Sequence, residues 1–61
     1  MFRKLKSLLI INGMTQQDLA NVLSLSTSAL NLKINGKSEF TLTEAKRISD
    51  YFKMSIEDVF E

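Results

Sequence analysis

Residues 15–36 read TQQDLANVLSLSTSALNLKING, and the rest of the chain can be laid out from them. Two helix starts are written into this stretch. Thr15, after Met14, and Ser26, after Leu25, each put a hydroxyl where it can accept from the free N–H groups of a first helical turn. Met14 with Leu19, and Leu25 with Leu30, can close over those hydroxyls as apolar staples. Leu19, Val22 and Leu23 then share the inner side of a helix over about Gln16 to Leu23, and Ala20 suits a close crossing of two helices. Leu30 and Ile34, at i and i+4, share the inner side of a second helix over about Thr27 to Ile34. Asn35-Gly36 ends it.

The same start signal recurs downstream, as Phe40-Thr41 before Ala45 and Met54-Ser55 before Val59. Asp18, Glu44 and Asp58 each stand three residues after a capping hydroxyl, where a carboxylate can complete a capping box and suits the positive end of the helix dipole. A helix is therefore expected over about Leu42 to Phe52, with Leu42, Ala45, Ile48 and Phe52 inward and Lys46, Arg47 and Asp50 outward. A short one follows over about Ile56 to Phe60. Upstream, Phe2, Leu5, Leu8 and Leu9 form the inner stripe of a helix from about Phe2 to Asn12, ended by Gly13. Ile10 falls off that stripe. Lys37, Ser38 and Glu39 make a polar link. With no proline and no β-branched alternation, the expected fold is an all-α bundle of five helices.

A chain of 61 residues is expected to form a single domain over 1–61. Such a domain buries only about 60% of its unfolded surface. With no cysteine and no histidine, neither a disulfide nor a zinc site can staple it, so the 44% apolar residues must supply the core. No apolar run approaches the roughly 18 residues of a membrane span, and the N-terminus lacks a signal-peptide pattern. The expected location is cytoplasmic, in a bacterial cell or phage-infected host. An enzyme is disfavoured by the missing His and Cys and the missing Gly-rich phosphate loop. Glu57 and Asp58 sit at a helix start, where capping explains them better than acid–base work. No cofactor, metal or small-molecule substrate is expected. The net charge of +1 says little, but its distribution says more. Arg3, Lys4 and Lys6 cluster early, and Leu19 to Ser38 holds Lys33 and Lys37 with no acid. Such a segment can turn a favourable potential towards phosphates.

Two helices joined by a turn of about three residues can place the second in a major groove while the first crosses the backbone. Thr27, Ser28, Asn31 and Leu32 leave the outer side of that second helix short and nearly uncharged. Hydroxyls and amides both donate and accept, Asn pairs well with adenine, and an apolar tip can meet a thymine methyl, so these four are the candidate base contacts on double-stranded operator DNA. Gln16, at the start of the preceding helix, can reach a phosphate or brace the second helix. Lys33, Asn35, Lys37 and Ser38 are the further candidate backbone contacts. A homodimer would have to use Ile10, Ile56, Val59, Phe60 or their neighbours. The rival reading is a protein-interaction module on the same fold, antitoxin-like or an anti-repressor partner.

From about Leu5 to Phe60 the sequence resembles the phage-repressor and Cro class of helix-turn-helix proteins, the XRE family. The resemblance rests on Met14-Thr15-Gln16-Gln17-Asp18-Leu19-Ala20, on Leu25-Ser26 through Leu30, on Asn35-Gly36-Lys37, and on Met54-Ser55-Ile56-Glu57-Asp58-Val59-Phe60. It implies a compact, lambda-repressor-like five-helix bundle that binds operator DNA, usually as a dimer, to control transcription. It maps the family's phosphate-contacting glutamine onto Gln16, its base-reading positions onto Thr27, Ser28, Asn31 and Leu32, and its backbone-touching asparagine onto Asn35. Three residues depart from the pattern. Ser24 and Lys53 stand where glycine is common, and a left-handed Ser24 would cost about a kcal/mol more than glycine. Lys33 holds an apolar position of the second helix, which leaves that helix's rotation, and with it Leu32, open by one residue.

Overall fold

In the computed structural model, which describes residues 2–60, five helices follow one another: α1 Arg3–Ile11, α2 Gln16–Leu23, α3 Thr27–Ile34, α4 Leu42–Phe52 and α5 Ile56–Val59. The capping hydroxyls set the starts of α2 to α5. Thr15, Ser26, Thr41 and Ser55 each accept from the backbone N–H three residues on, at 3.1 Å. Asp18 and Glu44 return the bond to the backbone N–H of Thr15 and Thr41, both at 2.9 Å, so two capping boxes close. Asp58, expected to close a third, makes no such bond among the described residues. It is left to favour the short α5 through its charge at the dipole's positive end.

The helix ends use one device four times. At α1, Gly13 N–H donates to Ile10 and Met14 N–H to Leu9; at α2, Ser24 donates to Asn21 and Leu25 to Ala20. At α3, Gly36 donates to Lys33 and Lys37 to Leu32; at α4, Lys53 donates to Asp50 and Met54 to Ser49. Each is the paired bond of a Schellman ending, which needs a left-handed residue. Gly13 and Gly36 supply it at φ 64° and 78°, but Ser24 and Lys53 are forced to 57° and 55°. Met14, Leu25 and Met54, each just after the left-handed residue, immediately precede the next capping hydroxyl and pack against the core. One apolar side chain therefore closes one helix and staples the next. Ser24→Gly and Lys53→Gly are each expected to raise unfolding stability by about 0.5–1 kcal/mol, because glycine relieves the left-handed strain at some cost in chain entropy. Urea melts of the single and double variants check this; a loss of stability at either site would show that its side chain makes a compensating contact.

The core gathers Leu5 and Leu9 of α1, Leu19, Ala20 and Leu23 of α2, Leu30 and Ile34 of α3, Ile48 of α4 and Val59 of α5. One inward assignment in α4 changes. Leu42 shares the angular face of Ala45 and Ile48 but is 66% exposed. It is the first residue of α4, and its turn overhangs the edge of the core. Ser49 takes a buried place instead, its hydroxyl donating to the Lys46 carbonyl at 2.9 Å so that no polar atom is stranded. Val59 is fully buried and so cannot serve as a dimer contact. Phe60, offered for the same role, is half-buried in a cluster of edge-on rings, with Phe2 and Phe40 at 5.5 and 5.1 Å. This cluster ties the entry of α1, the link before α4 and the end of α5 together. Ile56 is half-buried beside it, while Ile10 and its neighbour Ile11 are freely exposed at the end of α1.

Candidate nucleic-acid interface

Helix α3 divides cleanly into two faces. Leu30 and Ile34 are fully buried, while Thr27, Ser28, Asn31 and Leu32 are exposed and together line one shallow depression on the outer surface. This settles the rotation of the helix. Leu32 faces outward, and Ile34 takes the inner place. The Ser26 cap binds the Ala29 N–H, which leaves Thr27 and Ser28 at the exposed first turn.

Lys33 lies between the two faces, and its place corrects the sequence expectation of a phosphate contact. Its side chain is only 14% exposed, and its ammonium pairs with Glu44 at 2.5 Å. The same Glu44 oxygen accepts from the Thr41 backbone, so one carboxylate both caps α4 and anchors the last turn of α3. Sequence reasoning gave Glu44 only the first role. Burial pushes the Glu44 carboxyl up, but the hydrogen bonds from Lys33 and the Thr41 backbone, with the Lys33 charge, outweigh it and hold the group below its ordinary 4.5. A carboxylate depressed in the folded state contributes stability that is fully present above its unfolded value and is lost as pH falls through the folded one. The stability gap between the wild type and Glu44→Gln should therefore be widest near neutrality and close as pH falls below about 4.5. Unfolding curves at stepped pH read it, and a gap constant down to pH ~3 would remove the ionised pair from the account.

Gln16 and Asn35 meet α3 through side-chain amides. Asn31 Nδ2 donates to Gln16 Oε1 at 3.3 Å, and Asn35 Nδ2 donates to Asn31 Oδ1 at 3.2 Å. Gln16 thus braces the helix and still has both Nε2 hydrogens to offer. Lys37 and Ser38 are exposed, and both of their backbone N–H groups donate to the Leu32 carbonyl, which holds the link against the end of α3. Lys37 makes no ion pair among the described residues. The structure thus brings Gln16, Thr27, Ser28, Asn31, Leu32 and Asn35 onto or beside one outer surface, with Lys37 and Ser38 following it. Lys33 is withdrawn from that group. Among the described residues there is no cluster of potential metal ligands, and no helix is long and apolar enough to cross a membrane.

A capped helix pair whose second member buries one face and exposes a short, polar, nearly uncharged other is the architecture of helix-turn-helix DNA-binding domains. Residues 4–61 match the Cro/C1-type HTH DNA-binding domain, and the chain belongs to that family. It is thus a DNA-binding domain of the kind that transcriptional regulators carry. No curated protein and no solved structure matches the chain significantly.

Proposed function

We propose that residues 1–61 act as one sequence-specific DNA-binding unit, a transcriptional regulator of the repressor or Cro type from a phage or mobile element. It would act by occupancy in the bacterial cytoplasm or a phage-infected host, blocking or recruiting polymerase at a promoter. The observation that carries this reading is the outer face of α3, where Thr27, Ser28, Asn31 and Leu32 share one open depression with no carboxylate among its lining residues. Hydroxyls and an amide there can read base edges, and the Leu32 tip can meet a thymine methyl. Gln16, Asn35, Lys37 and Ser38 hold the flanking backbone. Two copies on a two-fold operator would meet through the exposed Ile10 or through the half-buried Ile56 and Phe60.

Titration of the labelled protein with a generic duplex at low salt tests the reading without knowledge of the operator. Amide shifts should concentrate at Gln16, Thr27, Ser28, Asn31, Asn35 and Lys37, and fade as salt rises. Shifts confined to other surfaces, or none at all, would return the chain to the class of protein-interaction modules. Lys37→Ala should weaken binding to every duplex alike and lower the slope of log affinity against log salt by about one unit. An unchanged slope would remove Lys37 from the phosphate contacts.

A further inference from the structure

The two amide bonds beside the α3 face form a single chain, Asn35 to Asn31 to Gln16, that runs one turn along α3 and then crosses to α2. A primary amide has two hydrogens and two acceptor lone pairs. Asn31 stands in the middle, with one hydrogen engaged by Gln16 Oε1 and one lone pair by Asn35 Nδ2. It therefore meets any further partner with one donor and one acceptor. A concerted reversal of all three amides leaves that count unchanged. An untethered asparagine differs, because it can turn and offer both hydrogens.

We infer that Gln16 and Asn35 are positioning residues that make Asn31 a reader of adenine rather than of purines in general. This rests on the reading of α3 as the base-contacting helix. In the major groove adenine presents one acceptor, N7, and one donor, the N6 amino group, whereas guanine presents two acceptors, N7 and O6. A tethered Asn31 satisfies both atoms of adenine. Against guanine its single free hydrogen serves one acceptor, and its oxygen faces the other without a proton between them. The tether is weak in the free protein, where Asn31 and Asn35 are exposed and water competes for both bonds. Under a docked duplex that water is displaced, and breaking either bond strands an amide group in a dry interface. The discrimination is thus enforced when the base is read. Asn35 gains a role that its position after α3 does not suggest, since it orients a base-reading side chain in addition to any bond its second hydrogen makes to a phosphate.

The test is selection of bound duplexes from a randomised pool at one fixed salt concentration, with the bound fraction sequenced. It uses the full chain as wild type, Asn31→Ala, Gln16→Met and Asn35→Ala, each shown by thermal melting to be folded. Methionine keeps the length of Gln16 and its helix propensity but removes the acceptor. The wild type should select adenine at one position where Asn31→Ala loses the preference. At that position Gln16→Met should lower the ratio of adenine to guanine by about tenfold, and Asn35→Ala by less, with other positions unchanged. If Gln16→Met keeps the wild-type ratio at the position that Asn31→Ala has changed, the tether is overturned while base reading by Asn31 stands. A loss of affinity spread evenly over all positions overturns it too, and leaves Gln16 and Asn35 as backbone contacts or braces. If Asn31→Ala changes no position, or the wild type selects no sequence, the base-reading role of α3 fails and the tether with it.

Discussion

In the Asn31→Ala variant, binding to the duplex that the protein selects for itself should weaken by about 1–3 kcal/mol, roughly fivefold to 150-fold in affinity. Binding to random duplex should barely change. The asymmetry follows from what the side chain can touch. Asn31 is exposed at the centre of the outer face of α3, carries no charge, and has one donor and one acceptor free. A neutral amide adds little to the long-range attraction of phosphates, which dominates non-specific binding. Its contribution is confined to the base edge it meets. The folded state should hardly notice the loss, since alanine is the better helix former and the two bonds given up are solvent-exposed. Parallel fluorescence titrations with the selected and a scrambled duplex, at matched salt, read the difference. Equal losses on both would make Asn31 a part of the backbone grip and would move base reading elsewhere on α3.

Leu30→Ala is expected to have the largest effect on the fold, a loss of about 2–5 kcal/mol. Leu30 is fully buried, and Leu32, two residues on, lies nearly opposite it on the same helix. Truncating Leu30 removes apolar contact and leaves a void that neighbours close only in part. A 61-residue domain holds only about 3–9 kcal/mol in all, so much of that margin goes with one side chain. Leu32→Ala is the matched control. It removes the same atoms from a site 44% exposed, and its effect on stability should stay within about 0.5 kcal/mol. Urea denaturation of the two variants therefore reads the rotation of α3 directly. A reversed order, with Leu32→Ala the more damaging, would turn the helix by two positions and take Leu32 off the outer face. Leu32→Ala should also lose affinity for the selected duplex while keeping its stability.

The sequence by itself determined what depends on neighbours along the chain. The limits of α2, α3 and α4 follow from Thr15, Ser26 and Thr41, because a capping bond joins groups three residues apart whatever the rest of the chain does. Ser24 and Lys53 stand where the family resemblance puts glycine, and both take the left-handed turn, whose closing bonds span only six residues. The inner faces of α2 and α3 were legible too, because helical periodicity gives the direction of each side chain. Periodicity does not give depth. Leu42 points the right way but lies beyond the edge of the core, and Val59 lies at its centre, because both depend on where other helices end. Pairings between distant residues were less legible, since the sequence allowed Gln16 to brace α3 without giving the side chain it meets and gave Lys33 no partner. Lys33 and Glu44 are 11 residues apart and Asn31 and Gln16 are 15 apart, and only the packing of α3 brings each pair within reach. The tertiary structure therefore decided which polar groups remain free for a partner. It withdrew Lys33 by matching it to a half-buried carboxylate, and it left Asn31 exposed with half of its hydrogen-bonding capacity already engaged.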